Sequence, residues 1–400
     1  MHSNYYKKLP HLILLIAFLI VFCTACKEAE NPSVFLPETM VLQNGLLIDG
    51  SGSVPIENGI IFIEDGYLKY VGQDTNLTIP EDTKIIDLSG KTILPGMINA
   101  HVHGGYKAAN LREWAQAGVT TVRDLGNFSY SPVEAYTRRD QLLENNEYAR
   151  LVAAGPLVTT VGGYGSYAVS SPADAQQKIA DLIASGADII KIAVEDDLQG
   201  RQWPMLSQDE INIIVQTAHD RGLPVAVHIS RSSHLAMAIT AGVDDVAHMI
   251  VDELSVNNIL EMVAKDIFWV PTLELWRGVS AMYGLNWDSI AIDNLRIFVN
   301  NGGKVALGTD FDGYTCEFDL GVPVMEIGLL QAAGMTNMQI IVAGTRNAAI
   351  VCNREKELGT IEAGKIADIL ILNDNPIEDI DALTDVFMVI HNGAIIRQSD

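Results

Sequence analysis

Cysteine is scarce in this chain: four in 400 residues, with Cys23 and Cys26 close to the N-terminus and only Cys316 and Cys352 beyond them. Two cysteines far apart, with no Cys-x-x-Cys pair, exclude a disulfide framework and a cysteine-based structural zinc site. Whether the two pair in an oxidising compartment stays open. Basic residues are the second shortage. Lys and Arg number 26 against 50 Asp and Glu, a formal charge of −24, and nucleic acid or an anionic membrane surface would reward the opposite balance. The apolar run from Leu12 to Phe22 falls short of the roughly 20 residues of a membrane span. No Gly-x-Gly-x-x-Gly follows an early strand and no P-loop is present, so dinucleotide and nucleotide-phosphate cradles are not expected.

What remains is a globular composition, 48% apolar and 19% charged, in a chain long enough for one large domain with an appendage or for two domains. The N-terminus is a separate object. Lys7 and Lys8 precede the apolar run, a pattern suited to a secretory signal, and Thr24-Ala25-Cys26 resembles the lipobox of a bacterial lipoprotein, with Cys23 where that motif usually has Leu. Residues 1–25 are therefore expected to be a lipoprotein-type signal, Cys26 the lipid-modified first residue, and residues 26–39 a tether. The expected location is the cell envelope, exported and membrane-anchored, facing the periplasm or the cell surface. A plain signal peptide cleaved near Ala25 is the simpler alternative, and it also implies export.

From Met40 to about Thr92 short apolar strands alternate with tight turns, Asp65-Gly66 being a hairpin signal. The last segment reads alike, with Asp368-Ile-Leu-Ile-Leu372, then Val386-Phe-Met-Val-Ile390 turning at Asn392-Gly393. Two β-rich flanks, 40–92 and 355–400, are expected to pair into one small composite β domain, a β-sandwich that brings the chain ends together. Between them, over 93–354, strands and helices alternate. Eight strand candidates begin near Ile93, Thr120, Arg150, Asp188, Pro224, Asp244, Ile267 and Lys304. Helix caps separate them: Ser171-Pro172 with closure at Gly186, Ser207 with Glu210 closing at Gly222, and Thr336 with Gln339. The expected fold is α/β, a (β/α)8 TIM barrel, whose functional residues lie at the C-terminal strand ends. A doubly wound sheet is the alternative.

Chemically capable residues fall at those ends. The first strand ends in Asn99-Ala-His101-Val-His103, and strand alternation puts both imidazoles on one face, a geometry suited to two ligands of one metal. Lys191 sits inside the apolar stretch Ile189-Ile-Lys-Ile-Ala193, where an ammonium is costly and its pKa is lowered. His228, His248 and Asp310 end the fifth, sixth and eighth strands. A single strand-end histidine is more often structural than a ligand; four with an aspartate are a less likely accident.

His101-x-His103, Lys191, His228, His248 and Asp310, in this order, resemble the binuclear-metal pattern of the amidohydrolase superfamily. Gly96-Met-Ile-Asn-Ala-His, Ala117-Gly-Val-Thr-Thr-Val-Arg-Asp-Leu-Gly126, Leu307-Gly-Thr-Asp310 and Gly364-Lys-Ile-Ala-Asp368 are similar to its imidazolonepropionase-like and Xaa-Pro dipeptidase-like branch. The similarity runs from about residue 40 to 398. The resemblance implies that His101, His103 and Asp310 hold one divalent ion and His228 and His248 the other. Lys191, carboxylated by carbon dioxide, and a hydroxide would bridge them. Zn²⁺ suits such ligands, and Mn²⁺, Co²⁺ or Fe²⁺ also fit. Asp310 would act as general acid–base.

The implied function is hydrolysis of an amide-type C–N bond in a small substrate such as a dipeptide, an N-acyl amino acid or a cyclic amide. Cleavage of a C–O bond in a lactone, ester or phosphoester is the alternative, because hydrolases of the superfamily share these ligands. A deaminase is disfavoured, since the usual mononuclear ones lack the bridging lysine. A catalytically silent binding lipoprotein is the reading from another class, and the filled ligand positions count against it. Arg231 and His234, in the loop after the fifth strand, are candidate substrate contacts, with a helix-start role equally open. Tyr106, Tyr164, Tyr167, Trp276 and Arg277 follow other strands and are candidates for the pocket wall. His219 near a helix C-terminus and His391 beside a turn have structural readings. Only a few residues separate His103 from the helix near Ala108, so a larger substrate or a neighbouring subunit has access there, and a homo-oligomer is left open.

Overall fold

The computed structural model describes residues 38–73, 78–81, 83–198, 200–313 and 315–399. The expected signal, Cys26 and all but the last two residues of the expected tether lie outside the described residues. Among the described residues no helix is long and apolar enough to cross a membrane. The fold is α/β with an additional, mostly antiparallel mixed sheet.

Both flanks contribute to that sheet. Its strands run in the order Ala394–Gln398, Val386–His391, Ile369–Leu372, Thr92–Pro95, Met40–Leu47, Ile56–Glu64, Tyr67–Gly72, with Lys84–Asp87 beside Met40–Leu47. The expected hairpins form. Asp65 and Gly66 have φ of 54° and 81°, Asn392 and Gly393 50° and 77°, the paired left-handed conformation that a two-residue turn between right-twisted strands requires. The strand expected to start near Ile93 is in fact two. Thr92–Pro95 pairs antiparallel with Ile369–Leu372, and the chain turns at Gly96 before Met97–Val102 pairs parallel with Val119–Asp124.

Apart from the short antiparallel pair Asp197–Leu198 and Arg201–Gln202, the remaining strands are parallel, and most are separated by helices. Met97–Val102, Val119–Asp124 and Arg150–Ala153 form one run, and Val158–Thr160, Ile190–Ala193, Val225–His228, Asp245–Ala247 and Phe268–Val270 another, with Tyr167–Val169 at its edge. Backbone bonds link the runs: Asp188 N donates to Ala153 O at 3.2 Å, Ala306 N to Trp269 O at 2.9 Å, and Ala100 N to Leu307 O at 2.7 Å. These strands are buried on both faces, which explains their continuous apolar runs in place of alternation. The helices start and stop as their caps dictate. The Ser171 side chain accepts Asp174 N and Gly186 closes with φ 110°, while Ser207 with Glu210 and Thr336 with Gln339 are complete capping boxes. His219 ends its helix with Nε2 2.8 Å from Asp244 Oδ2, and His391 Nδ1 donates to Asn146 O at 2.9 Å. Cys316 and Cys352 are both free.

One fully buried ion pair ties the parallel strands together. Arg123 donates bidentately to Asp245 at 2.8 and 2.9 Å and also bonds Ala100 O and Val351 O. It thus spans the first, second and sixth parallel strands and the helix Ala348–Val351. Leaving a charge unpaired at such a depth costs about 3–5 kcal/mol. Arg123→Met is expected to lose that much stability in denaturant unfolding of the full chain, and a loss below about 1 kcal/mol would contradict this role.

Candidate active site

The C-terminal strand ends converge. His101 is the penultimate residue of Met97–Val102 and His103 lies just beyond it. Asp310 N donates to His101 O at 2.8 Å, so the eighth segment lies directly on the first strand. Gly308 permits this approach, because a Cβ there would stand 3.0 Å from His101 N and 2.5 Å from Val270 Cγ1. His248 and Asp310 adopt φ of 75° and 63°, left-handed values that cost a non-glycine residue on the order of 1–3 kcal/mol. His248 N is held at 2.9 Å by Val270 O, so the surrounding backbone fixes the strained turn.

The side chains meet around one carboxylate. Asp310 Oδ1 lies 3.0 Å from His101 Nε2 and 2.9 Å from His103 Nε2, with His248 Nδ1 at 3.9 Å from Oδ2. The rings of His101 and His248 are centred 4.7 Å apart, and those of His228 and His248 4.6 Å. His103 Nδ1 faces Gly126 O at 3.1 Å and must donate its proton there, and His248 Nδ1 is 2.9 Å from Thr272 Oγ1. The His103 ring therefore turns Nε2 towards the cluster, and the Thr272 hydroxyl orients the His248 ring. His228 Nε2 lies 3.5 Å from Glu195 Oε2, a buried carboxylate that also accepts from Ser230 Oγ at 2.5 Å.

Electrostatics divide these groups. Burial pushes the Asp310 carboxyl up, but the combined pull of His101, His103 and His248 holds it well below the usual carboxylate range. Burial lowers His101, His228 and His248, keeping three imidazoles neutral. Burial opposes protonation of His103 too, yet the Asp310 carboxylate lifts it to about 9. Lys191 is 2% exposed. Burial depresses its amine to about 7, with Arg123 adding to the effect against the pull of Asp245 and Asp310.

Several of these atoms make no well-aligned hydrogen bond: Lys191 Nζ and His101 Nδ1, and, despite their ion-pair contacts, His101 Nε2, His228 Nε2 and Asp310 Oδ1. Buried polar atoms are rarely left so. Ligand atoms of His101, His248 and Asp310 lie within 4.8 Å of one another. Orphaned lone pairs of nitrogen and oxygen, converging on one volume, fit a divalent cation.

The sequence profile of the Amidohydrolase family matches residues 92–396. The chain belongs to the amidohydrolase family. Ochratoxinase of Aspergillus niger is 23% identical, over 88% of this chain and 84% of that protein, and imidazolonepropionase of Agrobacterium fabrum is 28% identical over 81% and 86%. A solved Xaa-Pro dipeptidase structure with bound methionine superposes with a TM-score of 0.79 at 24% identity, covering 90% of this chain and 100% of that one, a likeness of fold. This amidohydrolase falls in the imidazolonepropionase-like and prolidase-like branch and is a hydrolase of carbon–nitrogen bonds.

The amidohydrolase cavity has a volume of about 430 Å³ and is walled by His103, Lys191, His228, His248 and Asp310 with Tyr106, Tyr164 and Trp276. Tyr164 lies against the His228 ring at 4.7 Å. Arg231 and His234 do not line it. The helix Ser232–Ala241 starts shortly after the strand Val225–His228, with Arg231 as its N-cap residue, and His234 is buried with Nε2 3.3 Å from Asp196 Oδ1. Arg277 and Tyr167 also stay off this wall. Arg123, Asp124 and Glu195 went unnoticed in the sequence as site residues. Asp124 accepts Gly105 N and Gly126 N beside His103, and its position at the end of a parallel strand was the available signal.

The buried lysine yields a test on the metal-free protein. Its folded-state amine titrates near 7 against about 10.5 when solvated, so burial penalises the folded state fully below pH 7, and the penalty disappears as pH rises to 10.5. Lys191→Met is expected to stabilise the metal-free chain most below pH 7, with the gain fading towards pH 10.5. A gain independent of pH would contradict the assigned burial.

Proposed function

We propose that this amidohydrolase hydrolyses an amide-type C–N bond in a dipeptide, N-acyl amino acid or cyclic amide with two divalent metal ions. Zn²⁺ best suits the ligands. His101, His103 and Asp310 would hold one ion, His228 and His248 the other, with carboxylated Lys191 shared between them. The observation that carries this reading is the buried, unpartnered Lys191 Nζ among imidazoles and a carboxylate. A neutral amine adds to carbon dioxide, forming an N–C bond and releasing one proton, so that an unpaired cation becomes an anionic ligand. Near neutral pH the depressed amine supplies that neutral form.

When bound, the ions supply Lewis-acid polarisation of a carbonyl and acidify water. The chain's own residues do the rest. Asp310, held ionised by the histidines around it, takes a proton from the attacking water and passes it to the leaving nitrogen, the general acid–base role. His103 and His248, fixed through Nδ1, keep the ligand atoms in place. Tyr164 and Trp276 wall the cavity and reduce the water around the reacting carbonyl.

The same reading includes the scaffold and the setting. The eight parallel segments close as a (β/α)8 barrel, supported by the bonds from Trp269 to Ala306 and from Ala100 to Leu307, and the flanks 40–92 and 355–400 build the composite β-sandwich. Export and anchoring through Cys26 are supported by Lys7, Lys8 and the apolar run that follows. They confine the enzyme to small substrates of the cell envelope.

The test is turnover on matched panels of dipeptides and N-acyl amino acids, lactones, and phosphotriesters. Amide cleavage that chelators abolish and added Zn²⁺ restores is expected, with Asp310→Asn lowering kcat by about 10²–10⁴. Cleavage of lactones or phosphotriesters with none of amides would overturn the reading.

A further inference from the structure

Arg138 lines the same cavity and, among the described residues, has no carboxylate partner. Its setting is built. Arg138 Nε donates to Tyr106 O at 3.1 Å, and its guanidinium carbon lies 5.6 Å from the Tyr130 ring centre. Tyr130 is in turn fixed by Asn127, which accepts Ser129 N and Tyr130 N and donates to Tyr130 O, all within 3.2 Å. The helix Pro132–Leu143 that carries Arg138 is anchored by the Ser131–Glu134 capping box. One nitrogen and one face of the guanidinium are thus used, leaving the two terminal nitrogens.

Its position, not its unpaired state, sets Arg138 apart. Among the described residues Arg112, Arg123, Arg139, Arg150, Arg296 and Arg354 each form an ion pair and the other arginines form none, but Arg138 alone among the arginines lines this cavity. The acidic groups on the cavity wall are already engaged: Asp124 by Gly105 N and Gly126 N, Asp312 by Thr315, Asp310 by histidines. Lys107, exposed, lines the same wall and adds a second positive charge. A chain with a formal charge of −24 has kept a cationic corner in its central cavity.

We infer that Arg138 is a specificity-determining residue that binds a substrate carboxylate while the scissile amide lies at the histidine cluster. A guanidinium fork presents two parallel N–H donors to a carboxylate, the bidentate match that a lysine cannot reproduce. The inference rests on the amide-hydrolase reading and narrows it to amides that carry a carboxylate, as dipeptides and N-acyl amino acids do.

The test compares N-acetyl-L-phenylalanine with N-acetylphenethylamine, which has the same acetamide bond without the carboxylate, using the metal-loaded full chain and its Arg138→Met and Arg138→Lys variants. The wild type is expected to prefer the acid by about 10- to 100-fold in kcat/KM, the worth of a charge-assisted hydrogen bond. Arg138→Met should bring the ratio to within about threefold, mainly through KM, and Arg138→Lys should fall between. Calorimetric binding of 3-phenylpropionate and 3-phenylpropanamide gives a readout that does not need turnover. The acid should weaken at least about tenfold in Arg138→Met, and the amide much less. Hydrolysis of both amides with equal efficiency and an unchanged ratio in Arg138→Met would overturn this inference and leave the hydrolase reading intact. If the wild type cleaves neither amide, the N-acyl amino acid branch of the hydrolase reading fails. The calorimetric difference between wild type and Arg138→Met then decides alone whether Arg138 binds carboxylates.

Discussion

An ammonium group buried in the middle of a parallel sheet, with no hydrogen-bond partner, is the constraint on which the site depends. Lys191 has Ile190 and Ile192 as strand neighbours, all of them buried, so its amine cannot reach water and is driven towards the neutral form. A buried neutral amine without a partner is still a poor structural element, and a leucine would fill the space at lower cost. Its presence makes sense as a nucleophile towards carbon dioxide. His101, His228 and His248 are kept neutral by the same burial, and neutral imidazoles with one anionic carboxylate are a set of donors waiting for cations.

Holding such a set requires a frame that does not relax. Buried nitrogens and oxygens without well-aligned hydrogen bonds would draw His101, His228 and Asp310 towards other partners if the backbone could yield. Arg123 and Asp245, both wholly buried, join the strands that carry these residues. The left-handed backbone of His248 and Asp310 stores strain at the points where the side chains must turn inward. Gly308 removes the Cβ that would separate the eighth segment from the first strand. Precision at the cluster is therefore set by contacts outside it, and the loops beyond the strand ends remain free to vary the cavity wall.

Much of this was legible in the sequence because strand geometry is local. The ends of buried apolar runs locate the histidines, Lys191 is conspicuous among isoleucines, and the Ser–Glu and Thr–Gln boxes announce helix starts. The split at Gly96 was missed because Thr92–Pro95 and Met97–Val102 form one apolar run, and only the pairing with Ile369–Leu372 reveals that the first half belongs to the other sheet. Arg123 and Asp245 are 122 residues apart, and nothing local marks their meeting. Arg231 and His234 follow a strand end within a few residues, as His248 and Asp310 do. They stay off the cavity wall because a helix starts at Ser232, and the imidazole lies beside Asp196. Arg138 was invisible for the opposite reason: it lies in the middle of the helix Pro132–Leu143, away from any strand end, and lines the cavity together with the loop held by Asn127.

The central claim is that Lys191 exists to become an anionic ligand. The most direct measurement is the ¹³C NMR spectrum of the full chain prepared with ¹³C-bicarbonate and Zn²⁺, together with metal per chain, in the wild type and Lys191→Ala. The account predicts a carbamate resonance and about two metals per chain in the wild type, with the resonance absent and metal content reduced in the variant. One metal or none in both proteins, and no carbamate signal, would contradict it.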